Sequence, residues 1–209
     1  MKIVILGKGN MGTPLAQLAR AAGHVVESFD SQSGYLAALT GADIVILATK
    51  YEQALALADT PEVVAALDGK ILVDVTNPLT PDYMGLTVGF DSSAGEQIAQ
   101  RLPSTKVVKA FNTLFSGLLN KRVAGEDVPV PVMVAGDHAS AVGVVAELVG
   151  DMGLNPIVAG SMSNARYLEP MAEMMIQLGY GLGHGDQVGF VLVNAADNDA
   201  GIAGVGQLG

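Results

Sequence analysis

The chain of 209 residues contains no cysteine and no tryptophan, and only 5% of it is aromatic. Without cysteine there is no disulfide, no thiolate nucleophile and no Cys-held metal or iron–sulfur centre. Cations are scarce as well: 11 Lys and Arg stand against 21 Asp and Glu, a formal net charge of −10. Such a balance argues against a nucleic-acid surface, which needs a basic stripe, and against an anionic membrane surface. No apolar run approaches the roughly 20 residues that span a bilayer. The opening Met1-Lys2-Ile3-Val4-Ile5-Leu6-Gly7 leads straight into glycines and lacks the apolar stretch and cleavage site of a secretory leader. Three histidines, His24, His138 and His184, stand apart, and no His-Glu-x-x-His, Ser/His/Asp or metal-ligand spacing occurs, so no metal is expected. What is present is 50% hydrophobic, ample for a packed core. The expectation is a soluble, cytoplasmic, globular protein whose partner is a small molecule.

Apolar runs of strand length alternate with stretches of helical periodicity, which predicts an α/β fold with a mostly parallel sheet. Strands are expected over residues 2–6, 25–29, 43–49, 70–75, 106–111, 130–135 and 155–159, with helices over 10–22 and 139–152. Only 12 residues separate Asp30 from Asp43, too few for the helix and third strand of a full nucleotide-binding half. That half is therefore expected to be shortened, with one short helix around residues 34–39. At Ser161 the pattern changes to a long, Met-rich helical stretch over 163–179, a Gly-rich segment, and a strand or helical turn at 190–193. The division expected is a dinucleotide-binding domain over 1–160 and a helical extension over 161–209, packed on the sheet domain or on a second copy of the chain.

Gly7-Lys8-Gly9-Asn10-Met11-Gly12 is a G-x-G-x-x-G string placed between a strand and a helix, the context that gives it physical meaning. Gly7 allows the tight turn, Gly9 lets the backbone approach a pyrophosphate, and Gly12 lets helix and strand pack closely. Backbone N–H groups and the positive end of the helix dipole then face the phosphates. Asp30 ends the second strand 18 residues beyond Gly12, near the offset at which an acid binds the adenosine ribose hydroxyls. An acid there favours NAD(H), because it repels a 2′-phosphate. Ser31, Gln32 and Ser33 add no cation, yet their donors can hold a phosphate, so NADP(H) stays open.

Ligands of open α/β sheets bind beyond the carboxyl ends of the strands. Three polar clusters fall at such ends: Thr49-Lys50-Tyr51, Thr76-Asn77-Pro78-Leu79 and Ala110-Phe111-Asn112-Thr113. Thr49, Tyr51 and Asn77 are expected to line the ribose and nicotinamide, and Phe111, Asn112 and Thr113 to floor a planar partner. Reduction of an alcohol or ketone normally needs a proton donor beside the substrate oxygen. The candidates are Lys50, Tyr51 and Lys109, and none stands out. Hydride passage between a nicotinamide and a flavin-like ring asks less, since the rings carry the chemistry and the protein supplies stacking and dryness.

The strings Gly7-Lys8-Gly9-Asn10-Met11-Gly12, Val73-Asp74-Val75-Thr76-Asn77-Pro78-Leu79 and Val108-Lys109-Ala110-Phe111-Asn112-Thr113-Leu114 resemble the coenzyme F420-dependent NADP oxidoreductase family. So does Gly160-Ser161-Met162-Ser163-Asn164-Ala165-Arg166-Tyr167-Leu168-Glu169-Pro170. The same domain type occurs in the cytoplasmic reductase part of the six-transmembrane ferrireductases. The resemblance implies a Rossmann-like, doubly wound domain with a small C-terminal helical extension. It implies a dinucleotide on Gly7–Gly12 with Thr49, Asn77 and Pro78 on the nicotinamide side, and deazaflavin F420 or a flavin near Phe111 and Asn112. It also implies a homodimer, in which Met171–Met175 gains a partner surface. The chain departs from the family after the second strand, where Asp30-Ser31-Gln32 replaces a basic pair.

The favoured expectation is an NAD(P)H-dependent oxidoreductase serving a deazaflavin, flavin or related planar acceptor. A second is a pyrroline-carboxylate reductase or hydroxyacid dehydrogenase, for whose larger helical domain the roughly 50 residues after Ser161 leave little room. A third is a non-catalytic dinucleotide redox sensor.

Overall fold

The computed structural model describes residues 1–30 and 34–194. Its first half alternates β1 (Lys2–Leu6), α1 (Gly12–Ala21), β2 (Val25–Phe29), α2 (Leu36–Thr40), β3 (Ile44–Leu47), α3 (Tyr51–Ala58), α4 (Pro61–Ala66) and β4 (Ile71–Asp74). Then come α5 (Ala94–Arg101), β5 (Lys106–Lys109), α6 (Ser116–Val123), β6 (Val132–Gly136), α7 (Ala139–Asp151), β7 (Pro156–Val158) and α8 (Ala165–Ile176). The strands form one sheet in the order β2-β1-β3-β4-β5-β6-β7. All neighbours run parallel except β5 and β6. This is the Rossmann-like, doubly wound, mostly parallel fold that the sequence pattern predicts.

The strand period of two drives the layering. Ile3 and Ile5 face one side, where they pack with Ile44, Ile46 and the apolar faces of α1, α6 and α7. Val4 and Leu6 face the other, with Val45, Leu47 and residues of α2 to α5. A sheet covered on both faces needs strands apolar throughout, which is why β1 and β3 read as unbroken aliphatic runs. Among the described residues the short connection after Asp30 holds α2 alone, and β3 lies directly against β1.

The stretch over 163–179 is not one helix. A 3₁₀ turn at Met162–Asn164 leads into α8, and a π-turn at Gln177–Gly181 ends it. Residues 190–193 form no regular element. The extension packs on the sheet domain through α5: a Cβ on Gly95 would lie 2.9 Å from Met162 Sδ and 3.3 Å from Ala165 Cβ. Met175 is core, whereas Met174 is exposed. Among the described residues no helix is long and apolar enough to cross a membrane.

Candidate functional site

Because β1, β3, β4 and β5 are parallel, their carboxyl ends open on the same edge of the sheet. A cleft of about 880 Å³ lies there. Its walls include Gly7, Lys8, Gly9, Asn10, Met11 and Asp30, then Thr49, Lys50 and Tyr51, then Thr76 and Asn77. An adjoining niche of about 210 Å³ shares Gly7, Asp30, Thr49 and Gln53 with it and is otherwise lined by apolar groups such as Tyr35, Ala56 and Leu57. The long polar cleft with an apolar niche beyond Asp30 has the form of a site for an extended ligand with one flat, weakly polar end.

The three loop glycines differ in what holds them. Gly7 has φ +116°, and a Cβ there would strike the Ala48 carbonyl. At Gly12 a Cβ would strike the Gly7 carbonyl, so helix and turn meet without room for a side chain. Gly9 has open space around its would-be Cβ, a cradle that a side chain would fill and a ligand can enter. The amides of Gly9, Asn10, Met11 and Gly12 donate to no protein acceptor among the described residues. Unpaired donors at a helix start make an anion cradle. Two buried hydroxyls on the cleft walls, Thr49 Oγ1 and Thr76 Oγ1, are also without hydrogen-bond partners. Buried polar groups are rarely left unpaired. Together these orphans fit a ligand with a diphosphate at one end and a polar, amide-like group at the other.

Several expected residues stand elsewhere. Phe111 has φ +64° and is fully buried in the α1-side core. It offers no face to a ligand, which corrects the expectation that it floors a planar partner. Asn112 and Thr113 are buried too. Asn112 Nδ2 donates to Asn77 Oδ1 at 3.0 Å and to the Leu168 carbonyl at 3.2 Å, while Asn77 Nδ2 donates to the Asn112 carbonyl at 3.0 Å. These residues brace the cleft wall from behind. Pro78 is likewise buried behind that wall. Ser31 and Gln32 lie outside the described residues.

Two of the three proton-donor candidates are engaged. Tyr51 donates its hydroxyl to Gln97 Oε1 at 2.7 Å, and burial raises its pKa, outweighing the opposing pull of Arg101. Lys109 is fully buried in an ion cluster: its Nζ lies 2.9 Å from Asp74 Oδ2 and 2.8 Å from Glu169 Oε1 and donates to the Thr76 carbonyl. An ammonium has three donors, and all three are used. Burial pulls the Lys109 pKa down, but Asp74 and Glu169 outweigh it and hold the group above the ordinary lysine value. Glu169 also accepts from the amides of Ala94 and Gly95 at 2.9 and 3.0 Å, and Asp74 Oδ1 accepts from the Thr76 amide at 2.8 Å. The cluster thus ties β4, β5, α5 and α8 to the turn that carries Thr76 and Asn77. Sequence reasoning missed Asp74 and Glu169. The available signal was a charge placed on the apolar stripe of α8, next to Leu168.

The cleft wall continues through Leu79, the last residue of the second strand-end cluster, and then through Thr80, Pro81 and Tyr83, which the expected set lacked. Tyr83 has φ +61° and is half-exposed, with Lys50 Nζ 6.0 Å from its ring centre. Its turn is fixed by Thr80, whose hydroxyl donates to Asp82 Oδ1 at 2.6 Å, and by the Tyr83 amide, which donates to the Thr80 carbonyl at 2.9 Å.

A solved structure of a candidate F420-dependent NADP reductase from Arthrobacter sp. FB24 superposes with a TM-score of 0.80. It is 28% identical, and the match covers 93% of this chain and 100% of that one. The chain shares with it the Rossmann-like fold of a dinucleotide reductase. Rat metalloreductase STEAP3 is 35% identical over 103 residues, covering 49% of this chain and 20% of that protein. Human metalloreductase STEAP2 is 30% identical over 132 residues, covering 63% of this chain and 25% of that protein. The chain thus spans a fifth to a quarter of the length of these curated relatives. No family model matches.

Proposed function

We propose that the protein is an oxidoreductase that binds NAD(P)(H) along the cleft and exchanges a hydride with a deazaflavin, a flavin or a related planar acceptor. The observation that carries the reading is the set of unpaired amides at Gly9 to Gly12, on the same cleft as the orphaned hydroxyls of Thr49 and Thr76. When bound, the nicotinamide supplies the hydride. The chain's own part is binding and orientation. The loop amides hold the diphosphate, Asp30 meets the adenosine ribose, and the apolar niche beyond it takes the adenine. Thr49, Thr76 and Asn77 orient the carboxamide end, and Met11 and Lys8 close the near wall.

The commitment of two of the three proton-donor candidates, which leaves Lys50 alone on the cleft wall, favours a ring acceptor over an alcohol or ketone. Lys109 has no donor left, and the Tyr51 hydroxyl is committed to Gln97. Positioning two rings and keeping water out are then the whole of the protein's task.

Calorimetric titration with NAD(H) and NADP(H), followed by NAD(P)H oxidation with FMN, riboflavin, a deazaflavin, ferric chelate or pyrroline-carboxylate as acceptor, tests the reading. Saturable binding and turnover on the ring acceptors are expected. Turnover on pyrroline-carboxylate alone, or tight binding with no turnover at all, would replace it with an imine reductase or a redox sensor. No binding would end it.

A further inference from the structure

Beneath the cleft lies a group of charges for which the hydride step leaves no task. Asp74 and Lys109 face each other across the parallel strands β4 and β5 at their carboxyl ends, and Glu169 reaches Lys109 from α8. All three are buried. Replacing such a cluster by apolar side chains of similar volume often leaves a protein equally stable or more so, so stability alone does not account for it. Its hydrogen bonds have a direction instead. Lys109 Nζ donates to the Thr76 carbonyl, and Asp74 Oδ1 accepts from the Thr76 amide at 2.8 Å. Both main-chain polar groups of Thr76 are thereby held from below by charged side chains. Its hydroxyl is left buried on the cleft wall, with no partner among the described residues. The next residue is braced against the same helix: Asn112 donates to Asn77 Oδ1 and to the carbonyl of Leu168, which precedes Glu169 on α8.

We infer that Lys109, seated between Asp74 and Glu169, is a positioning residue: it fixes the Thr76 turn so that Thr76 Oγ1 anchors the nicotinamide carboxamide and holds the ring in one orientation. This role rests on the dinucleotide reading above and gives the C-terminal extension, through Glu169, a part in that site. A carboxamide offers a carbonyl and an N–H₂ group, and a threonine hydroxyl both donates and accepts. Anchored there, the ring does not turn about its bond to the ribose and presents a single face. An apolar side chain at position 109 would still fill the space between the strands, but it has no donor with which to aim a carbonyl. Hydride geometry is sensitive to such aim, since a displacement of about 1 Å can cost about a hundredfold in rate.

Thr76→Val, Lys109→Met, their double variant and Glu169→Gln, each checked for folding by circular dichroism and studied below its melting temperature, provide the test. Two readouts need no acceptor: calorimetric dissociation constants for ADP-ribose and for the tighter of NADH and NADPH, and nuclear Overhauser contacts between the bound nicotinamide and its ribose. In Lys109→Met, ADP-ribose, which lacks the nicotinamide, is expected to bind within about twofold of the wild type, and the reduced nucleotide to lose about tenfold. The wild type should hold the ring in one orientation and Lys109→Met should show both. With an acceptor present, nucleotides deuterated at one or the other C4 position should then report transfer from a mixture of faces. Thr76→Val should do the same, and the double variant no more than either alone. Glu169→Gln keeps the Lys109–Thr76 bond and is expected to move these readouts the same way by about threefold; it decides the matter should Lys109→Met not fold. A single ring orientation kept in the folded variants, both orientations in the wild type, equal losses for the two ligands, or additive losses in the double variant would overturn the positioning role and leave the dinucleotide reading standing. A wild type that binds neither ligand would overturn the dinucleotide reading, and this role with it.

Discussion

At the scale of single residues, the glycine loop separates two kinds of requirement that its sequence string does not distinguish. Gly12 is needed by the fold, because a Cβ there collides with the Gly7 carbonyl. Gly9 is not needed by the fold, because nothing of the protein lies near its would-be Cβ. Gly12→Ala is expected to cost about 1–3 kcal/mol through overpacking, visible as a melting temperature lowered by several degrees. Gly9→Val should leave the melting temperature of the unliganded protein nearly unchanged and abolish heat release on nucleotide titration. A second residue-scale expectation concerns Asp30. Asp30→Asn removes the carboxylate that disfavours a 2′-phosphate and should narrow any preference for NAD(H), read as the ratio of the two dissociation constants. The tight turn at Gly7 and the close packing at Gly12 were legible in the sequence, since G-x-G-x-x-G between a strand and a helix states a backbone geometry. Phe111 was not. Its place among polar residues at a strand end suggested a ligand platform, but a left-handed backbone at that position turns the ring into the core.

At the scale of elements, α5 and α8 are clipped together twice. Inside, Glu169 takes two α5 amides and the Lys109 ammonium. Outside, Arg166 forms a two-pronged pair with Glu96, with Nη2 2.7 Å from Oε1 and Nε 2.8 Å from Oε2. The two clips should fail at opposite ends of the pH scale. The Glu96 carboxyl is held below its ordinary value, chiefly by the Arg166 hydrogen bonds. Its contribution is therefore complete above the ordinary glutamate range and lost as the pH falls through the lowered folded value. Lys109 is held above the ordinary lysine value, because the two carboxylates outweigh burial. Its contribution persists through neutral and mildly alkaline pH and is lost only as the pH climbs past that raised value. Melting curves from pH 3 to 11 should thus show an acid shoulder that Arg166→Ala flattens and an alkaline one that it leaves alone. Removing one member of the buried cluster strands a charge, a loss of about 3–5 kcal/mol, so Lys109→Met should destabilise far more than Arg166→Ala. Glu169→Gln, which keeps the shape, should fall between the two. Neither clip was legible beforehand, because each joins residues more than 50 positions apart.

At the scale of the whole molecule, several apolar groups of the C-terminal extension stay uncovered. Tyr167 and Met174 on α8, Tyr180 in the π-turn and Leu182 after it are all exposed. Isolated exposed apolar groups are ordinary, but a run of them along one element marks an interaction surface. A homodimer through these residues is the reading that the family resemblance implied for Met171–Met175. Sedimentation velocity on the wild type should then give a dimer, and Met174→Glu, which leaves the core residue Met175 in place, should give a folded monomer. A wild type that sediments as a monomer at micromolar concentration would reject it.

The sequence by itself determined the layers, the strand order's shortened first half and the place of the glycine loop. These follow from period, chain length and glycine spacing, which are local properties. Only the tertiary structure decided which polar side chains meet. It took Lys109 and Phe111 out of the cleft-facing set, brought Asp74 and Glu169 together beneath the cleft, and opened a cavity between Arg20 and Ser28. Burial and charge pairing depend on segments far apart in the chain, and no local pattern encodes them.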